Sequence, residues 1–513
     1  MLLQTVLVGL LGAICVSAQS TISLPVTRNA RFNPSGVELL LTSITRYSLQ
    51  PYYIQFPDIA GSLTPLPAII PTLKARTVKR KHKVFRKRLL KELLGGLLPV
   101  TIPLLELLDG ILGPVLGLDS GSGFQGLVAL KGANDAHDAA WYATMGVGLP
   151  VKSFKFCIDS GSSDLLVYST KCPSCPLSNH SSFDSSSSLT FSWSPAPAPP
   201  ISNRPASPQQ LFNITYSDQS SLSGIYGFDQ VQIGGTSVAG GLVSQGGAQV
   251  TNQTLNLVEA AVGPWAKYGY DAIVGVAQDG LSINQGTRTI FSNLVKDGTL
   301  AQNVLSVALV KEDRATGTGG GGEFLFGAIN SSYISGSIAY TPVTSSLYWG
   351  HAVDGVSMNG RQLLTPTIPP RAITDTGTTL LVMPAALAAS IHTFIPGSKQ
   401  DTGTGRWLIP CSTTTGNAPN LIFTLGGAQF SVPSSDFAYL GNTDGQARTA
   451  QLNAANKQMC TSAIQGGAEN FIVLGDTFIK NNYVIFDYGD KDGQGKRVGF
   501  AKRADIAPTG LGI

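Results

Sequence analysis

The sequence predicts an all-β protein built from a duplicated unit, on three observations. Charged residues make up only 13% of the 513 residues, whereas Gly alone numbers 58. Apolar runs are short and are cut by Gly, Asn and Ser, which is the pattern of many strands joined by turns. A third observation is a long-range repeat: Asp-Ser-Gly-Ser at 159–162 returns as Asp-Thr-Gly-Thr at 375–378. Each copy follows an apolar run and precedes Leu-Leu-Val, and each is answered downstream by an apolar pair ending in Gly, at Gly275 and Gly475. Two copies in one order mark a duplicated unit. A chain of this length also exceeds one simple core.

The elements follow in order. Residues 1–18 have an apolar centre and end Val-Ser-Ala, as a signal peptide does. Residues 19–120 read as a basic pro-segment whose C-terminal boundary falls between 89 and 125. Residues 1–120 carry net +7 and the remainder net −3, and ten Lys/Arg crowd into 74–91 without an acid. The segregation fits a removable leader whose charge pairs with the body; nucleic-acid binding fits an exported chain poorly. The apolar stretch 89–118 is broken by Lys91, Glu92, Pro99, Pro103, Glu106 and Asp109, so it reads as an amphipathic helix rather than a membrane span. From 125 the pattern is strands and turns, in a first half to 335 and a second half from 336 to 513. The Pro/Ser-rich run 194–209 is a surface loop. "GTGGGG" at 317–322 matches a dinucleotide fingerprint only trivially, since "EFLFG" after it reads as strand.

Cysteine usage and sequons agree with export. Five cysteines remain past the leader, and Cys172–Cys175 and Cys411–Cys460 are the expected disulfides in an oxidising compartment. Cys157 is then the odd one, a buried thiol. Asn-x-Ser/Thr triplets stand at Asn179, Asn213, Asn252 and Asn330. Neither His-Glu-x-x-His nor Gly-x-Ser-x-Gly occurs, and five His in all leave little for zinc or Ser-His-Asp catalysis.

"KFCIDSGSSDLLVYS" (155–169) reads as a buried strand interrupted by a carboxylate and a glycine, which calls for a reason. With its partner motif it resembles the pepsin-like aspartic peptidases of the secreted, fungal type. The resemblance spans roughly 125–505, through "YATMGVGLP", "FNITYSDQSSLSGIYGFDQVQIGG", "GGEFLFGAIN", "YWGHAVDGVSMNG" and "NYVIFDYGDKDGQGKRVGFA". It implies a bilobal fold with the site in the cleft. Asp159 and Asp375 would be the catalytic pair, without metal or other cofactor. In such dyads two close carboxyls cannot both ionise cheaply and so share one proton. Gly161 and Gly377 let backbone approach the carboxylates. Ser162 and Thr378 would bond the outer carboxylate oxygens, and Ser160 and Thr376 would tie the two loops together.

Tyr216 matches the tyrosine of the substrate-covering hairpin. Asp218 follows at a tip position where some fungal members carry Asp, which implies an S1 pocket that accepts Lys or Arg beside large apolar residues. Three departures surround these motifs: Ser217 where Gly is usual, Leu166 where Trp is usual, and Cys157 where an aliphatic residue is usual. The implied protein is a monomeric, secreted endopeptidase, with vacuolar delivery less favoured. It would act on proteins or peptides at acid pH and be held as a zymogen by its own pro-segment. The competing expectation is a catalytically silent relative that serves as a binding or inhibitor protein. The intact Asp, Gly and Tyr residues speak against it.

Overall fold

The structure is a computed structural model that describes residues 128–506, apart from 136–137, 176–179, 194–209, 217–219, 235–236, 239–241, 244–246, 264, 266–268, 314–317, 365–370, 440–458 and 468–470. The expected signal peptide, pro-segment and 89–118 helix, the 194–209 loop, Asn179, Ser217 and Asp218 therefore lie outside the described residues. Two compact units are distinguished. In one, the described residues are a short antiparallel ladder of Ser237–Val238 with Leu242–Val243. The other, Gly123–Gly235 with Gly246–Ile513, holds everything that follows.

Five strands of this unit surround Asp159: β1 (Ala140–Val147), β2 (Lys152–Asp159), β3 (Leu165–Tyr168), β4 (Gly247–Val262) and β5 (Ala272–Gly275). Five more surround Asp375: β6 (Gly350–Ala352), β7 (Arg371–Thr374), β8 (Leu381–Met383), β9 (Ile464–Gly466) and β10 (Phe471–Leu474). The first set is ordered β1-β2-β5-β3-β4 and the second β6-β7-β10-β8-β9. The senses also match: antiparallel, parallel, antiparallel, parallel in each. The duplication read from the two motifs is thus a duplication of strand order and direction.

The stretch 155–169 is two strands rather than one interrupted strand. β2 ends at Asp159, β3 starts at Leu165, and β5 lies between them. "LLVY" and "AIVG" are buried along their whole lengths, as inner strands covered on both faces must be. The aspartate thus occupies the end of a buried strand, where the chain must leave the sheet.

Strands Val304–Asp313, Thr318–Phe326, Asn482–Asp487 and Arg497–Arg503 belong to the same thirteen-stranded sheet as β1–β5. The Gly-rich segment therefore forms a strand, as its sequel indicated. At Gly322 φ is +124°, and a Cβ would come within 2.0 Å of Ala308 O, so only glycine fits there. One apolar cluster runs through both halves and includes Phe154, Val274, Phe291, Trp349, Phe423, Phe478 and Phe500. A smaller cluster gathers Cys157, Leu166, Tyr168, Phe212, Leu222 and Trp265. Disulfides join Cys172 to Cys175 and Cys411 to Cys460; Cys157 is buried and forms none.

Candidate active site

Each strand end delivers its carboxyl into a tight loop that bonds it in the same way. Gly161 N–H donates to Asp159 Oδ1 at 2.8 Å, and Ser162 Oγ donates to Oδ2 at 2.5 Å. In the other loop Gly377 N–H donates to Asp375 Oδ1 at 2.9 Å, and Thr378 Oγ1 donates to Oδ2 at 2.6 Å. Four donors therefore fix two carboxyls whose side chains also contact each other. The loops pack so closely that a Cβ on Gly377 would lie 2.3 Å from Asp159 Oδ1, and one on Gly161 2.6 Å from the Asp375 carboxyl. Glycine is required here for space; positive φ is not the reason.

Beneath the carboxyls the loops exchange hydrogen bonds reciprocally. Ser160 N–H donates to Thr376 Oγ1 and Thr376 N–H donates to Ser160 Oγ, both at 3.0 Å. Each hydroxyl then donates onward: Ser160 Oγ to Thr374 O at 3.0 Å, and Thr376 Oγ1 to Ile158 O at 2.5 Å. Ser160 and Thr376 are buried, so every one of these groups would be costly to leave unpaired. Thr374 is held in turn by His351, whose Nε2 lies 2.9 Å from Thr374 Oγ1 while Nδ1 donates to Ala352 O. His351 is not marked in the sequence, because its role depends on the pairing of β6 with β7, which brings it to Thr374, 23 positions further on.

The glycines downstream close each loop from behind. Gly275 N–H donates to Asp164 O, and a Cβ there would meet Ser163 N at 2.4 Å. A Cβ on Gly475 would meet Thr378 O at 2.2 Å. Burial first, then the charge of Asp375, raises the proton affinity of Asp159 well above the ordinary carboxylate range. A proton is therefore retained by the pair where isolated carboxyls would have lost theirs, and it belongs to the pair.

Tyr216 lies at the end of a hairpin strand, Leu211–Thr215, that pairs with Ser221–Gly234. Its N–H donates to Ser220 O. Leu166, buried in the same apolar cluster as Phe212 and Leu222 of the hairpin, offers no polar side-chain group, and a ring that meets Tyr216 is Trp265, edge-on at 5.5 Å. Trp265 is itself oriented by its indole N–H donating to Val262 O at 2.9 Å. The sequence did not mark Trp265, which is 49 positions from Tyr216. Asn213 and Asn252 are exposed, whereas Asn330 is half-buried with Nδ2 donating to Glu323 Oε1. No cluster of metal-ligating side chains occurs among the described residues, and none of their helices is long and apolar enough to cross a membrane.

The family described as "Eukaryotic aspartyl protease" matches residues 140–503. Rhizopuspepsin-4 of Rhizopus niveus is 32% identical over 357 residues, 69% of this chain and 76% of that protein. Pepsin A of Rhinolophus ferrumequinum is 30% identical over 370 residues, covering 71% and 82% respectively. Pepsin A of Bos taurus is 31% identical over 359 residues, 69% of this chain and 82% of its own. With the match running from β1 into the last strand of the thirteen-stranded sheet, the chain belongs to the eukaryotic aspartyl protease family, and its fold is the all-β, two-lobed fold of the pepsins.

Proposed function

We propose that the chain is a secreted aspartic endopeptidase, in which Asp159 and Asp375 activate water against a peptide carbonyl. The observation that carries this reading is the matched bonding of the two carboxyls across loops that a single Cβ would separate. The singly protonated pair takes a proton from water as its oxygen attacks the carbonyl carbon. It gives its own proton to the carbonyl oxygen, forming a gem-diol. Collapse breaks the C–N bond: the amine leaves with a proton from the pair, a gem-diol hydroxyl returns one to the pair as the carbonyl re-forms, and the pair is singly protonated again. Loop bonds made before the reaction spare reorganisation during it.

The 1–18 segment routes the chain for export, and the two disulfides suit that compartment. Residues 19–120 form the basic pro-segment, which keeps the protein a zymogen until acid neutralises the carboxylates that pair with it. The mature lobes run 125–335 and 336–513. Tyr216 covers bound peptide, and Asp218 adds a carboxylate for Lys or Arg at S1. The substrate is protein or peptide, taken by a monomer. Asn213, exposed on the edge strand of the hairpin with Thr215 exposed beside it, is the best placed of the sequons among the described residues for a glycan.

The test is a peptide library incubated with the full chain before and after exposure to acid. Acid treatment should shorten the chain and release cleavage next to large apolar residues. A processed chain that leaves every peptide intact would favour the silent binding protein instead.

A further inference from the structure

Asp476 begins a short helix, Asp476–Ile479, one residue past Gly475. It is 1% exposed, and its Oδ1 has no hydrogen-bond partner among the described residues. It is also built onto the second aspartate loop: its N–H donates to Thr378 O at 2.7 Å, and Thr378 Oγ1 bonds Asp375. The corresponding position of the first half is Val276, equally buried. The motif thus tolerates an apolar side chain here, and the fold does not demand a carboxyl.

The charged groups around it are defined. Asp375 and Asp159 face it from the two loops, Lys480 from one turn further along, and Asp138 from the segment before β1. Lys480 is already committed, 3.2 Å from Asp138 and 3.9 Å from Asp436. Lys311, at 2.7 Å, bonds Asp436 from its far side. Little positive charge is left for Asp476, and an ionised carboxylate lacking donors in such a place is strongly disfavoured. Burial foremost, then Asp375, raises its proton affinity well above normal.

We propose that Asp476 is a positioning residue for Asp375 that works only while protonated, and that loss of its proton sets the upper pH limit of the site. Neutral, it packs under Thr378. Ionised, it places an unpaired negative charge against that loop and one residue from Gly475, so the loop shifts and Thr378 withdraws from Asp375. This rests on the proposed peptidase reading only where activity is the readout.

The test compares the acid-processed wild-type protein with Asp476→Asn and with Asp476→Val, which copies the first half. Two profiles are recorded against pH: the unfolding midpoint by tryptophan fluorescence, and the upper limb of kcat/KM. In the variants both should move to higher pH together, by at least about half a unit. A purely structural role would shift thermal stability at every pH and leave the pH midpoint in place. An unmoved or lowered midpoint overturns the proposal. So does failure of both neutral variants to fold in acid, because the proposal requires a neutral side chain to suffice. The fluorescence midpoint needs no turnover: a midpoint that moves in a protein cleaving nothing supports the role of Asp476 and counts against the peptidase reading alone.

Discussion

Gly161 and Gly377 show how narrowly the paired carboxyls are accommodated. A methyl group at either position would overlap the opposing carboxyl at 2.3–2.6 Å, far inside van der Waals contact. Backbone cannot yield easily, since each loop is held by the cross-loop bonds of Ser160 and Thr376. Gly377→Ala should therefore displace Asp159 from its donors and lower kcat by at least about a hundredfold. The melting temperature should fall only modestly, because Gly377 itself is exposed. Activity within a few-fold of wild type would show that the carboxyls need not be so close.

At the level of elements, the cross-loop bonds join two halves whose motifs begin 216 residues apart in sequence. Thr376→Val keeps the shape but removes a hydroxyl that accepts from Ser160 N–H and donates to Ile158 O. Two buried backbone groups would then be unpaired, at about 1–3 kcal/mol each. At roughly 1–1.5 °C per kcal/mol for a protein of this size, calorimetry should record a drop of at least about 2 °C. Thr376→Ser should recover most of it, and an unchanged melting point for the valine variant would mean that the loops are held by packing alone. The repeat announced this pairing, since the same residue types recur at the same offsets from each Asp. Its supports were less legible. His351 and Trp265 act through strand pairing and ring contact, which a linear pattern does not encode. The interrupted strand was misleading for a related reason: β5, which separates β2 from β3, comes more than 100 residues later in the chain.

Across the whole molecule, buried titratable groups pull stability in opposite directions with pH. His351 and His392 are pushed down by burial from an ordinary 6.5 to about 4, so the fold prefers them neutral. Their contribution is complete above 6.5 and is lost as pH falls through 4. Asp159, Asp164, Asp229 and Asp476 are raised by burial, Asp229 to about 6. Their contribution is complete below 3.8 and fades as pH rises through their folded values. Between about pH 4 and 6.5 the two sets oppose each other, and above 6.5 the carboxyls act alone. Melting temperature should decline across both windows, the two histidines offsetting part of the fall in the first, whereas a rise above 6.5 would contradict this balance. The all-β class and the duplicated unit were readable from composition and repeat because both depend on local residue choice. The polar groups buried against one another were not, because their partners come from elsewhere in the chain.

In the proposed mechanism Asp159 and Asp375 act as one unit sharing one proton, which a double-mutant cycle separates from two independent carboxyls. Peptide cleavage in acid is measured for the wild-type protein, Asp159→Asn, Asp375→Asn and the double variant. Residues acting as a unit lose nearly everything with the first substitution. Each single variant should therefore fall by about a thousandfold or more, and the double variant should be no worse than either. A single variant that keeps a tenth of the activity, or losses that simply multiply, would contradict it.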